Sequence, residues 1–487
     1  GNDIEWSAPL GAGVTQLHKE GAGTLVLTGA NSFNGPITIS AGALQIGGAG
    51  VLGGGNFAGA ITNNGSFIYS SSAAQVISGD ISGSGNLTVN ATGSLKTSGN
   101  VTASSVEVEA GLLAVNGQLA ANLVAVNSGA TLGGSGTIFA PVTVSGTLSP
   151  GNSPGTLSVA SLTLTPTAVT DIEIESLSNF DRIVVGGAAS VAGTLNVIPY
   201  NGNPLAYGQQ YNFLTATGGI TGEFDTITAP ETFRGRFLNG GTTGTLLIAP
   251  DTYTRVAETP NQRSVAKALD KYIPATSDDR ETVSIALDLQ TAEQYPAAFE
   301  QIMPGFYESL ADMSIEQAFT QTQQLNQRMG AVRAGIQSFQ AIGMQNEPLK
   351  HDRDGKSVAD AKTASPIVED AVSTNWNSWV MGTGSFSRSY NLSEAPGYKN
   401  DAGGFLAGAD YRWSEAFSTG LYAGYQYNYA KYSGGSSTRG NSALFGAYAS
   451  WQNEDGYYVN SVIGGGYTGY QTRRAITFGT IDRTARA

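Results

Sequence analysis

Gly21-Ala22-Gly23-Thr24-Leu25-Val26-Leu27-Thr28-Gly29-Ala30-Asn31-Ser32-Phe33-Asn34-Gly35 sets the grammar of the first half of the chain. Leu25 and Leu27 alternate with Thr24, Val26 and Thr28, the period of a half-buried strand. Glycine, Asn and Ser then mark a turn, and Ile37, Ile39, Leu44 and Ile46 resume the alternation. Short segments of this kind recur for about two hundred residues at turn spacings of roughly 8–12, among them Leu87-Thr88-Val89, Val106-Glu107-Val108, Leu123-Val124-Ala125-Val126, Val142-Thr143-Val144 and Leu162-Thr163-Leu164. A series of β-sandwiches or a β-solenoid would give this texture. The inexact echo of a short unit, with Gly and Asn at the corners and small residues throughout, favours a parallel β-helix whose rungs bury one another. From Gly21 to Thr170 the charged residues are Asp80, Lys96, Glu107 and Glu109. Inward-pointing charges would be costly in such a stack.

Outward from that run, the grammar changes at Thr259. Thr259-Pro260-Asn261-Gln262 reads as an N-cap, Pro at the first helical position and a capping-box Gln. Asp278…Glu281 and Thr291…Gln294 repeat the start signal. A last helix carries Ala318, Thr322, Leu325, Met329, Val332 and Ile336 on one stripe. Its other faces hold neutral amides: Gln317, Gln321, Gln323, Gln324, Asn326 and Gln327. A narrow apolar stripe on an amide-rich helix suits a confined, watery surrounding better than a large core. Asn346 to Ser373 is polar and mixed in charge, the signature of a linker.

From Trp376 the alternation is strict. Phe405, Ala407, Ala409, Tyr411 and Trp413 lie opposite Gly404, Gly408, Asp410 and Arg412. Leu421, Ala423, Tyr425, Tyr427 and Tyr429 oppose Gly420, Gly424, Gln426 and Asn428, and Ala443 to Trp451 follow suit. A soluble sandwich also alternates. Aromatic ends, glycine on the polar side and the amide-rich helix upstream favour an outer-membrane barrel, apolar to lipid and polar to the lumen. About five strands are expected, centred near Phe386, Ala407, Tyr425, Gly446 and Ile463, with a sixth starting at Ile476.

Composition excludes several classes. Of 487 residues 13% are charged and 40% apolar, against the profile of disorder. A net charge of −13 disfavours nucleic acid as a partner. Cysteine is absent, which fits export of an unfolded chain and a cytosolic protein equally. No apolar run approaches the roughly 20 residues of a spanning helix. The chain has neither an initiator Met nor a signal segment at Gly1, so it reads as cut at its start.

The first run resembles the passenger-associated transport repeat of autotransporters, the type V secretion family. Its anchors are Gly21, Gly23, Thr24, Leu25, Leu27, Gly29, Asn31, Phe33 and Gly35, continuing through Ile37, Ile39, Gly42 and Leu44. Leu148 to Leu157, with Ser149, Pro150, Gly151, Asn152, Ser153, Pro154 and Gly155 at its centre, is similar to the segment preceding the family's last passenger rungs. Asp171–Phe180, Asp181 to Gly186, Ala192 to Leu195 and Ile220 to Phe224 look like the C-terminal passenger region that seeds folding. Leu325, Asn326, Arg328, Met329, Gly330 and Arg333 resemble the helix that threads the family's barrels. Self-cleaving members carry Asn-Asn just before that Leu. Gln323-Gln324 stands there instead, and glutamine forms a cyclic imide far less readily, so no autocleavage is expected.

The resemblance implies a right-handed parallel β-helix (solenoid), a helical linker and an incomplete antiparallel transmembrane β-barrel. The expected divisions are rungs at 1–145, a cap and folding seed at 146–255, a helical linker at 256–345, a polar linker at 346–375 and a partial barrel at 376–487. Family barrels look like twelve strands ending in an aromatic residue, so the chain reads as a fragment that would not insert alone. The implied function is export and display of the chain's own passenger, with adhesion or surface interaction as its role. The implied location is the outer membrane of a Gram-negative bacterium with the passenger at the surface. Implied partners are outer-membrane lipid, the barrel-assembly machinery and a host or neighbouring cell surface.

Candidate chemistry is sparse. Gly151-x-Ser153-x-Gly155 matches a nucleophile elbow, but the residue after the serine must donate its N–H to an oxyanion, and Pro154 has none. The histidines are His18 and His351. Asp171, Glu173 and Glu175 share a strand face, which reads as a hard-cation site or a solvated face, the latter favoured. Asp352-x-Asp354-Gly355 hints at a calcium loop without its third oxygen position or closing Glu. No catalytic residue, metal or cofactor is assigned, and no enzymatic activity is expected. The alternatives are a β-helical polysaccharide-acting enzyme, which needs a charged groove, and a soluble adhesive module without a membrane barrel.

Overall fold

A computed structural model describes residues 3–202, 205–273, 278–303, 305, 307–336, 341–342, 350–351, 357–358, 375–390 and 397–486. It divides into two compact units, Gly1–Val256 with Asp288–Glu293, and Ala257–Leu287 with Gln294–Ala487. The linker expected at Asn346–Ser373 lies largely outside the described residues, and Asp352, Asp354 and Gly355 lie wholly outside them.

The first unit is a parallel β-solenoid. One inward column runs Leu25, Leu44, Phe67, Leu87, Val106, Val124, Val142 and Leu162, each residue paired in parallel register with the next. A second runs Ile37, Ile61, Ile81, Val101, Leu119, Ile138 and Val159. The parallel ladder decides against stacked sandwiches, whose sheets are antiparallel. Strand alternation sends one residue in two to the axis, and stacking at about 4.8 Å places each on the one below. Most column residues are fully buried. Each such side chain contributes roughly 1.5–3 kcal/mol of transfer free energy. The parallel ladder ends in an antiparallel hairpin, Phe233–Asn239 with Thr243–Pro250.

The second unit holds helices α1 (Pro260–Asp270), α2 (Asp278–Asp288, its last residue in the first unit), α3 (Tyr295–Ile302) and α4 (Tyr307–Arg333). Thr259 caps α1 with the full capping box through Gln262. The start signal at Thr291 does not nucleate a helix there. Its hydroxyl donates to Glu293 at 2.8 Å, and α3 begins at Tyr295 with no side-chain cap.

Six antiparallel strands follow: β1 (Trp376–Ser389), β2 (Tyr398–Arg412), β3 (Phe417–Tyr432), β4 (Ser437–Gln452), β5 (Tyr458–Phe478) and β6 (Ile481–Arg486). Ile476 lies inside β5. The turn comes later, at Gly479 with φ 52°, so the sixth strand starts at Ile481. Phe405, Trp413, Leu421, Phe445, Ile463 and Tyr467 are exposed on one face. Such a one-sided apolar surface is what a lipid-facing barrel wall presents. Among the described residues no helix is long and apolar enough to cross a membrane, which says nothing of a β-barrel.

Candidate functional site

The inner face of the C-terminal sheet receives α4. Leu325 and Met329 pack among Trp379, Met381, Leu406, Tyr422 and Tyr448. The inner face is therefore not uniformly polar as expected, because it must cover the apolar part of the helix. Toward its N-terminus α4 turns other residues inward. Ser309, Met313 and Gln317 are buried there, while Ala318 and Thr322 of the expected stripe are exposed. The wall opposite explains the displacement. Gln317 Oε1 accepts from Ser442 Oγ at 3.0 Å and from Asn428 Nδ2 at 3.5 Å, and Ser309 shares a hydrogen bond of 2.6 Å with the Tyr432 hydroxyl. A polar wall takes amides, because burying an unmatched Asn or Ser costs more than exposing an alanine.

Asp410 is the electrostatic centre of the unit. It is fully buried and pairs with Arg328, itself 1% exposed, at 2.8 Å. Asn377 Nδ2 donates to Oδ1 at 3.1 Å and the Tyr448 hydroxyl to Oδ2 at 2.8 Å. Trp379 Nε1 donates to that hydroxyl at 2.9 Å. A charge buried so deeply is tolerated only when it is paired and hydrogen-bonded in this way. Three strands and one helix thus meet at one carboxylate. Arg328 was singled out by sequence. The signal for its partner was a lone acid among the inward glycines of β2.

The remaining α4 residues line the same wall. Arg333 Nη1 donates to Ser450 Oγ at 3.0 Å and Asn460 Oδ1 at 2.6 Å, with its guanidinium 4.0 Å from the Tyr458 ring centre. Asn326 Oδ1 accepts from Asn460 Nδ2 at 3.2 Å. Gly330 has room for a side chain, with the Arg333 guanidinium at 3.7 Å from where a Cβ would stand.

In the solenoid the repeat motif becomes a clamp. Asn31 is buried; its Oδ1 accepts from Leu10 N at 2.9 Å, and its Nδ2 donates to Gly29 O and Val51 O at 2.8 and 3.1 Å, tying successive rungs. Phe33 stacks edge-on with Phe57 at 5.8 Å. A Cβ on Gly35 would overlap the Thr15 carbonyl, and one on Gly29 would lie 2.8 Å from Ser7 O. Gly21 takes φ 74°. Thr24, Leu25 and Leu27 form the strand that follows Gly23.

The stretch from Ser149 to Gly155 is a corner. Ser149 and Pro150 end a strand, Gly151 and Ser153 take φ 87° and 69°, and the Ser153–Pro154 peptide is cis. Asn152 Nδ2 donates to Asn116 Oδ1 at 2.9 Å and Ser135 Oγ at 2.8 Å. Fully buried Asp181 accepts from Gly155 N at 2.7 Å and Glu173 N at 2.9 Å. Burial pushes its carboxyl up to about 6, against the pull of those two N–H donors. Asp171 and Glu175 accept from Asn196 and Asn179, and among the described residues no cluster of three or more ligand-type side chains suits a metal. Sequence did not reveal a second buried carboxylate, Asp288, which takes Arg234, Arg236 at 2.8 Å and the Tyr253 hydroxyl at 2.8 Å.

With a solenoid and an alternating sheet in place, two family matches follow. The autotransporter beta-domain matches residues 378–487 and the passenger-associated-transport-repeat residues 17–46. Together the two matches support an autotransporter family. A β-domain of this family implies the outer membrane of a Gram-negative cell, a passenger at its surface and insertion by the barrel-assembly machinery. Two relatives from Serratia marcescens, each described as an extracellular serine protease, are 27% and 29% identical over 444 and 374 residues. The matches cover 82% and 70% of this chain and 40% and 34% of the relatives, so it spans well under half their length. These relatives overturn the expectation of no enzymatic activity. That expectation rested on Pro154 after Ser153, on the two histidines and on uncharged rungs, which describe this stretch and carry no information on chemistry borne elsewhere.

Proposed function

We propose that this autotransporter segment exports and displays a passenger with serine-protease activity, the solenoid serving as the passenger's stem and α4 as the tether held against the inner face of the barrel wall. The reading of the passenger draws on the names of the two Serratia proteins. The observation that carries the export half is the Arg328–Asp410 pair with its shell of Asn377 and Tyr448. An ion pair this buried fixes a helix in one register against a wall, which a through-going tether requires.

Two measurements test the reading. Cells producing the full-length protein should display a passenger that a serine-directed fluorophosphonate labels and that hydrolyses casein; an unlabelled, inert passenger would remove the protease half. Arg328→Glu should strongly reduce display, and combining it with Asp410→Arg should recover a substantial part. Display indifferent to Arg328→Glu would remove the tether half.

A further inference from the structure

The outward face of the C-terminal sheet carries a row of cations. Arg388 pairs with Lys399 across β1 and β2, and Lys399 with Lys431 across β2 and β3. Lys431 pairs with Ser437, Ser437 with Arg473 and Arg473 with Arg486, which takes the row across all six strands. All five cations are exposed, on the side that also bears Phe405, Leu421 and Phe445. Among the described residues none of the five forms an ion pair, and the carboxylate on the neighbouring row, Asp401, forms none with them.

Like charges directly opposite across a ladder repel. A row of five is therefore unfavourable unless something anionic and extended lies along it. Its position says what that is. The row next inward holds Phe386 and Tyr429, the one after it Tyr427, and then the band from Phe405, Tyr425 and Tyr467 begins. Six residues separate Lys399 from Phe405, roughly 20 Å along a strand. With the usual strand tilt this sets the cations just beyond the aromatic girdle, at the depth of lipid headgroups. The opposite end of the sheet is different. Its outward row is Phe417, Trp451 and Val459, and its turns carry Glu415, Glu454 and Asp455. The chain as a whole is net negative, so a basic row at one end is a local feature.

We infer that this row binds the phosphate groups of membrane lipids in the leaflet at the end of the sheet where α4 begins. Arg388, Lys399, Lys431, Arg473 and Arg486 would share the phosphates as charge-assisted donors, and the tyrosines beneath would lie against the acyl ester region. This inference rests on the reading of the sheet as a membrane wall.

The test uses the full-length protein, extracted from outer membranes and placed in nanodiscs of phosphatidylcholine alone or mixed with phosphatidylglycerol. Retained lipid is read by native mass spectrometry, and embedding is read separately by resistance to carbonate extraction. Wild type should retain the anionic lipid selectively. Lys399→Gln with Lys431→Gln and Arg473→Gln should lower that selectivity by about fivefold per charge while embedding is unchanged. The same loss of charge on α1 and its C-cap, Arg263→Gln with Lys267→Gln and Lys271→Gln, should leave selectivity intact. Embedded wild type without selectivity, or equal loss in both triple variants, overturns the inference and leaves the membrane wall standing. Displacement of the lipid by millimolar inorganic phosphate would assign the row to a soluble anion and overturn it too. A protein that is not embedded at all removes the membrane wall first and the inference with it.

Discussion

The solenoid and the C-terminal sheet are both glycine-rich and poor in charge, yet they bury opposite things. In the solenoid every second residue points to an axis filled with Leu, Ile and Val, and the outward positions are Ser, Thr and Asn. In the sheet Phe405, Leu421, Phe445 and Ile463 point outward, and the inner face holds Asp410, Asn428, Ser442 and Gln426 around a helix, with Trp379, Leu406, Tyr422 and Tyr448 meeting its apolar part. The same period of two serves both. What differs is the solvent on each side, and therefore the sign of every substitution.

Identical changes on the two sides break or sharpen this contrast most sharply. Leu87→Asp puts a carboxyl in the solenoid axis and should cost about 5 kcal/mol in chemical unfolding of the passenger. Leu421→Asp, on the exposed face of β3, should leave passenger unfolding untouched and weaken membrane retention by about 1–3 kcal/mol. Equal effects in one assay would show that the two regions share a solvent. Next comes the polar interior of the sheet. Arg328→Ala should lower the thermal stability of the β-domain by about 3–5 kcal/mol, because Asp410 is left buried without its cationic partner. Adding Asp410→Asn should recover part of that; strict additivity of the two would show that the pair is not coupled.

Asp181 gives the solenoid its own buried carboxylate, and its sign is opposite to that of a salt-bridged acid. Its folded value, about 6, lies above the unfolded one near 3.9. The folded state therefore binds the proton more tightly. The stability this contributes is complete below about pH 4 and is lost as pH rises through about 6. The expected span is on the order of 2 kcal/mol, read as melting temperature between pH 4 and 7. Asp181→Asn should flatten that slope, and a wild-type melt rising over the same interval would refute it. The smallest effect expected is none: mass measurement of the chain should find no cut beside Leu325, since Gln323-Gln324 precedes it.

The solenoid was legible because its information is local. Alternation and corner glycines in the first run specify the rungs, and Asn31 is part of the repeat itself. The sheet was legible for the same reason, down to the outward row from Phe405 to Trp413. What sequence left unseen is contact across long separations. Arg328 and Asp410 lie 82 residues apart, and no periodicity links them. Asp288 and its two arginines are hidden likewise. The stripe on α4 was misplaced at Ala318 and Thr322 because helical spacing reports which residues share a face, whereas the chemistry of the opposing wall chooses the face.

One inner-face pattern has a consequence for assembly. Trp379 stands directly across from Gly408, Tyr422 from Gly446 and Tyr448 from Gly420. A Cβ on Gly408 would come within 2.5 Å of the Trp379 ring, so each ring fills the space a side chain would need. Sliding a strand by two residues would keep every face correct but drive Trp379 into Leu406 or Asp410. The rings and glycines thus act as teeth and notches, an alignment check that tells a nascent hairpin whether it has closed on the right notch.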